Sequence, residues 1–87
     1  MNFLHTRVSV PPGSVIRVDL EGTEANVMAM DDIAFNSYRR GRRFPYFGGH
    51  FTRSPAVIQV AAGDWNVVVD MGGGAGRVTA AVNVVRG

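Results

Sequence analysis

Apolar residues recur at every second position through most of this chain, and that period narrows the available folds more than any other feature. Ile16, Val18 and Leu20 alternate with Val15, Arg17 and Asp19. Leu4, Thr6, Val8 and Val10 form a second such row, and Ala56, Ile58 and Val60 a third. Trp65, Val67, Val69 and Met71 make a fourth, and Val78, Ala80, Val82 and Val84 a fifth. Side chains alternate across a β-strand, so a period of two turns one apolar face to a core and leaves the other to water. Turn-forming clusters punctuate the rows: Pro11-Pro12-Gly13-Ser14, residues 21–24, residues 61–64 and the glycine-rich stretch 72–76. Residues 25–30 read as a short apolar strand of ambiguous facing. Residues 46–51 read as another strand, interrupted by Gly48-Gly49, where glycine marks a bulge or a close backbone approach. The short loops after Val60 and Met71 predict two hairpins in series, an antiparallel meander of the last three strands.

One segment breaks the alternation. Residues 32–40 can form a helical turn, with Asp31 or Asp32 accepting the free N–H groups at its start and Gly41 ending it in the left-handed conformation. Seven or so short strands and one helical turn predict a single all-β domain over residues 1–87. The expected form is a small antiparallel β-sandwich, jelly-roll-like or a small barrel, with the helical turn and an arginine-rich segment crossing one end.

The 87 residues contain no cysteine, so the core receives no help from disulfides or thiolate metal sites. All nine basic residues are arginine. The absence of lysine excludes a P-loop lysine, a Schiff-base lysine and a lysine general base. No apolar run approaches the ~18–20 residues that cross a bilayer, and the first residues lack the apolar stretch of a secretory signal. A cytoplasmic protein without membrane attachment is the expectation.

Charge is unevenly placed. The net +2 is −3 over residues 1–37, +5 over 38–53 and zero over 54–87. The basic stretch carries Arg39, Arg40, Arg42, Arg43 and Arg53 with no acidic residue, and six of the eight aromatic rings lie between Phe35 and Phe51. Guanidinium groups grip phosphate or carboxylate in pairs of hydrogen bonds, and rings offer stacking surfaces. Arg39, Arg40, Arg42, Arg43, Tyr46, His50 and Arg53 are therefore the candidate contacts for an anionic ligand or an acidic protein partner. Plainer readings of the same residues exist. Arg39 and Arg40 suit a helix C-terminus through its dipole, and Phe44, Phe47 and Phe51 suit the core of a strand. Arg42, Arg43 and Arg53 could pair with Asp19, Glu21 or Glu24.

Catalysis finds no support. His5 and His50, with Asp31 or Asp70, have no metal-ligand spacing. Asp31 and Asp32 are adjacent rather than opposed, and Ser9, Ser14 and Ser37 sit in no nucleophile elbow. The glycines of 72–76 precede a strand, so a phosphate there would meet no helix N-terminus. The reading is a non-catalytic binding module without metal or cofactor. The alternatives are a structural unit, monomeric or homodimeric, pairing through Val15, Arg17 and Asp19 or an edge strand, and a module for single-stranded nucleic acid.

Short motifs along the chain carry a resemblance: Phe3-Leu4-His5, the run 26–31 (NVMAMD), Phe35-Asn36-Ser37-Tyr38 with Gly41, Tyr46-Phe47-Gly48-Gly49, Arg53-Ser54-Pro55, Gly63-Asp64-Trp65 and Val67-Val68-Val69-Asp70. Together they resemble the small bacterial family called domain of unknown function 1883. The resemblance implies a compact β-sandwich that occurs alone or, in some bacterial proteins, beside a TIR signalling domain. It implies no activity, cofactor or catalytic residue.

Overall fold

A computed structural model of the chain describes residues 3–22, 24–71 and 78–87. Seven strands and one helix follow in the order β1 (Phe3–Val10), β2 (Ser14–Gly22), β3 (Ala25–Met30), α1 (Asp32–Arg39), β4 (Phe47–Phe51), β5 (Ala56–Ile58), β6 (Gly63–Asp70) and β7 (Val78–Arg86). They form two antiparallel sheets, one of four strands in the order β1-β6-β3-β4 and one of three in the order β5-β2-β7. The result is the expected antiparallel β-sandwich, and the small barrel that the alternation also allowed does not form.

The inner faces meet in a core of small aliphatic side chains. Val10, Ile16, Val18, Ala25, Val27, Ala29, Ala56, Ile58, Val67 and Val69 are all buried there. The period-two rows of β2 and β6 supply it directly: Ile16 and Val18 point inward while Arg17 is exposed.

The predicted meander does not form. β5 pairs with β2, β6 pairs with β1 and β3, and β7 returns to β2. The chain thus crosses between sheets at each of these connections. Burial supplies the reason. Residues 66–69 of β6 are buried on both faces, which requires strand neighbours on both sides and cover above and below. β5 buries alternate residues and β7 half-buries them, and both belong in the three-stranded sheet, whose outer face is largely exposed among the described residues. Gly63 and Asp64, expected in a hairpin loop, are instead the first residues of β6, paired with Val10 and Ser9. The glycine-rich loop over 72–76 lies outside the described residues.

β3 is also buried on both faces, which resolves its facing: Val27 and Ala29 enter the inter-sheet core, and Met28 and Met30 the opposite side. The expected glycine feature of β4 is a close backbone approach. Gly48 has φ +119°, and a Cβ there would collide with the Val27 carbonyl oxygen of the neighbouring strand.

The helix does not cross one end of the sandwich. It lies over the outer face of the four-stranded sheet, where Ala34 and Tyr38 pack with Met28, Met30 and Val68. An eight-residue helix is too short to persist alone, so this packing is what holds it. Among the described residues, no helix is long and apolar enough to cross a membrane.

Candidate functional site

The features that could contact another molecule gather around α1 and the segment that follows it. Asp31 starts the helix: its side chain accepts the Ala34 N–H at 2.7 Å. The helix ends as Gly41 predicts. Gly41 has φ +71°, its N–H donates to the Tyr38 carbonyl at 3.0 Å, and the Arg42 N–H donates to the Ser37 carbonyl at 2.9 Å. This double bond pattern turns the chain back, so residues 41–46 retrace the helix toward β4.

Every second residue of β6 meets the helix from below. Asn66, Val68 and Asp70 make a clamp, an apolar contact and a second clamp. Asn66, only 2% exposed, donates to the Asp32 carboxylate at 2.8 Å and to the Met30 carbonyl at 3.3 Å. Both its N–H groups are thereby occupied, so its Oδ1 accepts from His5 Nε2 at 2.8 Å. That bond requires a hydrogen on Nε2, and the ring stacks on Phe35 at 4.1 Å. Arg7, opposite Asn66 on β1, donates to the other Asp32 oxygen at 3.0 Å and approaches Asp64 at 3.9 Å. Ser9 donates to Asp64 at 2.6 Å. The Asn66 hydrogen bond, joined by the charges of Arg7 and His5, holds the Asp32 carboxyl below its ordinary pKa against the opposing cost of desolvation.

At the other clamp the Tyr38 hydroxyl donates to the Asp70 carboxylate. Burial, then the hydrogen bond to Asp70 and its negative charge, raise the Tyr38 pKa well above its ordinary value. Phe3 and Phe44 pack edge-on against Tyr38, each at 5.1 Å, and Phe44 draws the returning segment down onto the helix.

The seven predicted contact residues do not converge on one pocket. Arg39 and Arg40 come together with Asn36 around a shallow depression of about 210 Å³. The Arg39 guanidinium also sits 5.7 Å from the centre of the Phe35 ring. Arg42 and Arg43 follow directly, exposed, in the returning segment. Tyr46 is 48% exposed beside Phe44 at the far end of that segment. It lines a different depression of about 200 Å³ with Ala29, Met30, Asp31, Pro45, Phe47 and Trp65. His50 lies on β4 opposite Asn26, at the other end of the strand from Phe47. It is held by Asn26 at 3.1 Å and faces Glu24 at 3.6 Å, which makes it an edge contact of the sheet. Arg53 is exposed in the bend after β4.

The plainer readings fare unevenly. Arg42, Arg43 and Arg53 form no ion pair with Asp19, Glu21 or Glu24: Asp19 pairs with Arg17, and Glu24 faces His50. Of the three phenylalanines expected in one strand core, Phe51 packs against the inter-sheet core, Phe44 lies under the helix outside any strand, and Phe47 is exposed. Sequence reasoning missed the Asn66 network and the Phe47–Trp65 contact at 5.6 Å. A signal was present for the first: Asn66 and Asp70 flank an apolar Val68 on the face that the row of Trp65, Val67 and Val69 does not use. Among the described residues, no group of three or more His, Cys, Asp or Glu side chains is placed to hold a metal ion.

The whole of this arrangement falls within one family model, described as domain of unknown function (DUF1883), which matches residues 1–87. The chain belongs to that family. No curated protein and no solved structure matches it. For this member of the family, the motifs quoted above fall mainly on the elements around α1: β3, the helix and its Gly41 stop, the Gly48 approach and β6.

Proposed function

We propose that the domain is a non-catalytic binding module whose arginine-rich segment docks on an acidic protein face or a similarly extended anion. One observation carries the reading. Among the described residues, Arg40, Arg42, Arg43 and Arg53 make no ion pair, while the nearby carboxylates are engaged elsewhere. Asp31 caps the helix, Asp32 and Asp64 serve Arg7, and Asp70 receives Tyr38. Three guanidinium groups are thus left facing water on a rigidly terminated helix and its return, and a fourth, Arg53, in the bend after β4. The adjoining depression is too shallow to enclose a small ligand, since such ligands bury most of their surface in clefts of about 300–1,000 Å³. A broad partner surface suits it better. The resemblance to a family that can neighbour TIR domains favours a role in bacterial signalling, and the lack of cysteine accords with the cytoplasm.

Titration with polyglutamate at low and moderate salt tests the proposal. Binding should weaken at least tenfold in Arg42→Ala with Arg43→Ala, while thermal unfolding stays unchanged. Undiminished binding by the double variant would sink the reading. So would a single-stranded oligonucleotide that outlasts polyglutamate as salt rises, because ring stacking rather than charge would then dominate.

A further inference from the structure

β7 is the edge of the three-stranded sheet; β1 of the other sheet lies near it without hydrogen-bonding to it, and β7 lacks the short length, proline, glycines and charges found at the other sheet edges. β5 has three residues and follows Pro55. β4 has five, two of them the glycines at the close approach to β3. β1 is longer but carries His5 and Arg7, so pairing with its own copy about Arg7 would set two guanidinium groups opposite each other. β7 runs nine residues, Val78–Arg86, with no proline, no glycine and no charge before its last residue. It pairs with β2 on one side, and no described hydrogen bond reaches its other side. Its inward residues Val82 and Val84 pack against the core yet remain only half-buried at this edge. A long, neutral, alternating edge is the kind that accepts another strand.

We infer that β7 pairs antiparallel with β7 of a second copy about a two-fold axis through Val82, joining two three-stranded sheets into one of six. Overlap selects this register: Val82 is the middle of the nine residues of β7, so this centring pairs all of them. β2 sets Asp19 beside Ala81 and Arg17 beside Asn83. With Val82 on the axis, Ala81 lies opposite Asn83 of the second copy, so Asp19 of one chain shares a row with Arg17 of the other. Centring on Ala81 or on Asn83 would leave residues at the strand ends without partners. The symmetric contact closes on itself and leaves no further copy of this edge to propagate. It also leaves α1 and the arginine segment free, since these lie on the outer face of the other sheet.

The chain has no cysteine, which makes cross-linking a direct test. Val82→Cys places a thiol on the axis, where opposite residues of paired strands come within disulfide reach. Under mild oxidation it should form a two-chain product. Val57→Cys, on the exposed face of β5 at the opposite edge, should not. Sedimentation of the unmodified chain should rise from one chain to two with concentration. Ala81→Lys with Asn83→Lys sets lysines opposite each other twice across the axis and should raise the dissociation constant at least tenfold, with circular dichroism confirming the fold. An unmodified chain that stays monomeric at millimolar concentration overturns the inference. Equal cross-linking from both cysteine positions overturns it too, as does mass growth beyond two chains.

Discussion

The molecule has two apolar layers, and they are built on different principles. Between the sheets, small aliphatic side chains from facing strands close on one another with no buried polar group among them. Between the four-stranded sheet and α1, methionine and aromatic side chains do the filling, and a polar clamp stands at each end: Asn66 with Asp32, and Tyr38 with Asp70. The first layer is held by burial alone, which is non-directional and tolerates adjustment of individual contacts. The second must fix a short helix that cannot hold itself, so it adds directional bonds that set where the helix lies. A sandwich of this size can therefore have one layer that makes it fold and another that fixes the position of a surface element.

The sharpest way to break this comparison is to cut a cavity in the first layer. Ile16 is fully buried, so Ile16→Ala should cost about 3–5 kcal/mol, a large share of the 5–15 kcal/mol typical of a domain. Urea unfolding would read it. A loss under 1 kcal/mol would mean that the inter-sheet core is not the principal support.

Asn66→Ala comes next, with an expected loss of about 1–3 kcal/mol as the Met30 carbonyl loses a partner and His5 its anchor. This variant should also change the acid side of the stability curve. The folded Asp32 has a lowered pKa, so what it contributes is present above the ordinary carboxylate pKa and fades as pH falls through the folded value. Without its largest cause, the Asn66 bond, that acid decline should shrink. An unaltered acid limb would separate Asn66 from the helix clamp.

Tyr38→Phe should cost about 1 kcal/mol at neutral pH. Its signature lies at the alkaline end. The folded Tyr38 has a raised pKa, so its contribution is complete below the unfolded tyrosine pKa of ~10 and is lost as pH rises past it. The variant should lack that portion of the decline above pH ~10. Matching alkaline limbs in the two proteins would show that the hydroxyl does not anchor the helix.

The smallest expected effect is on the exposed return. Arg42→Ala with Arg43→Ala should change stability by less than about 0.5 kcal/mol, since neither guanidinium has an ion-pair partner. A larger loss on thermal unfolding would move these arginines from a contact surface into the second layer.

How far each layer could be read in advance follows from how local its causes are. Ile16, Val18, Val67 and Val69 announce the first layer by position alone, because strand period and burial coincide. The helix is equally local: Asp31 begins it and Gly41 ends it through bonds spanning three to five residues. The clamps are not local. Asn66 meets Asp32 across 34 positions and Tyr38 meets Asp70 across 32, and no periodicity encodes such pairs. The same holds for the candidate contact surface. The run of arginines was visible as a run, but that Arg39 and Arg40 share a depression while His50 is tied to Asn26 depends on where the helix ends and β4 lies.

By itself, the sequence determined an all-β domain, its strand rows, the two ends of its helix and the concentration of positive charge after it. These are short-range consequences of side-chain alternation, capping and composition. Only the tertiary structure decided that the last three strands alternate between sheets, that Asn66 and Asp70 clamp the helix, and that β7 stands at the edge of its sheet. Strand pairing depends on which faces each strand must bury against distant partners, and that becomes defined only when both sheets are in place.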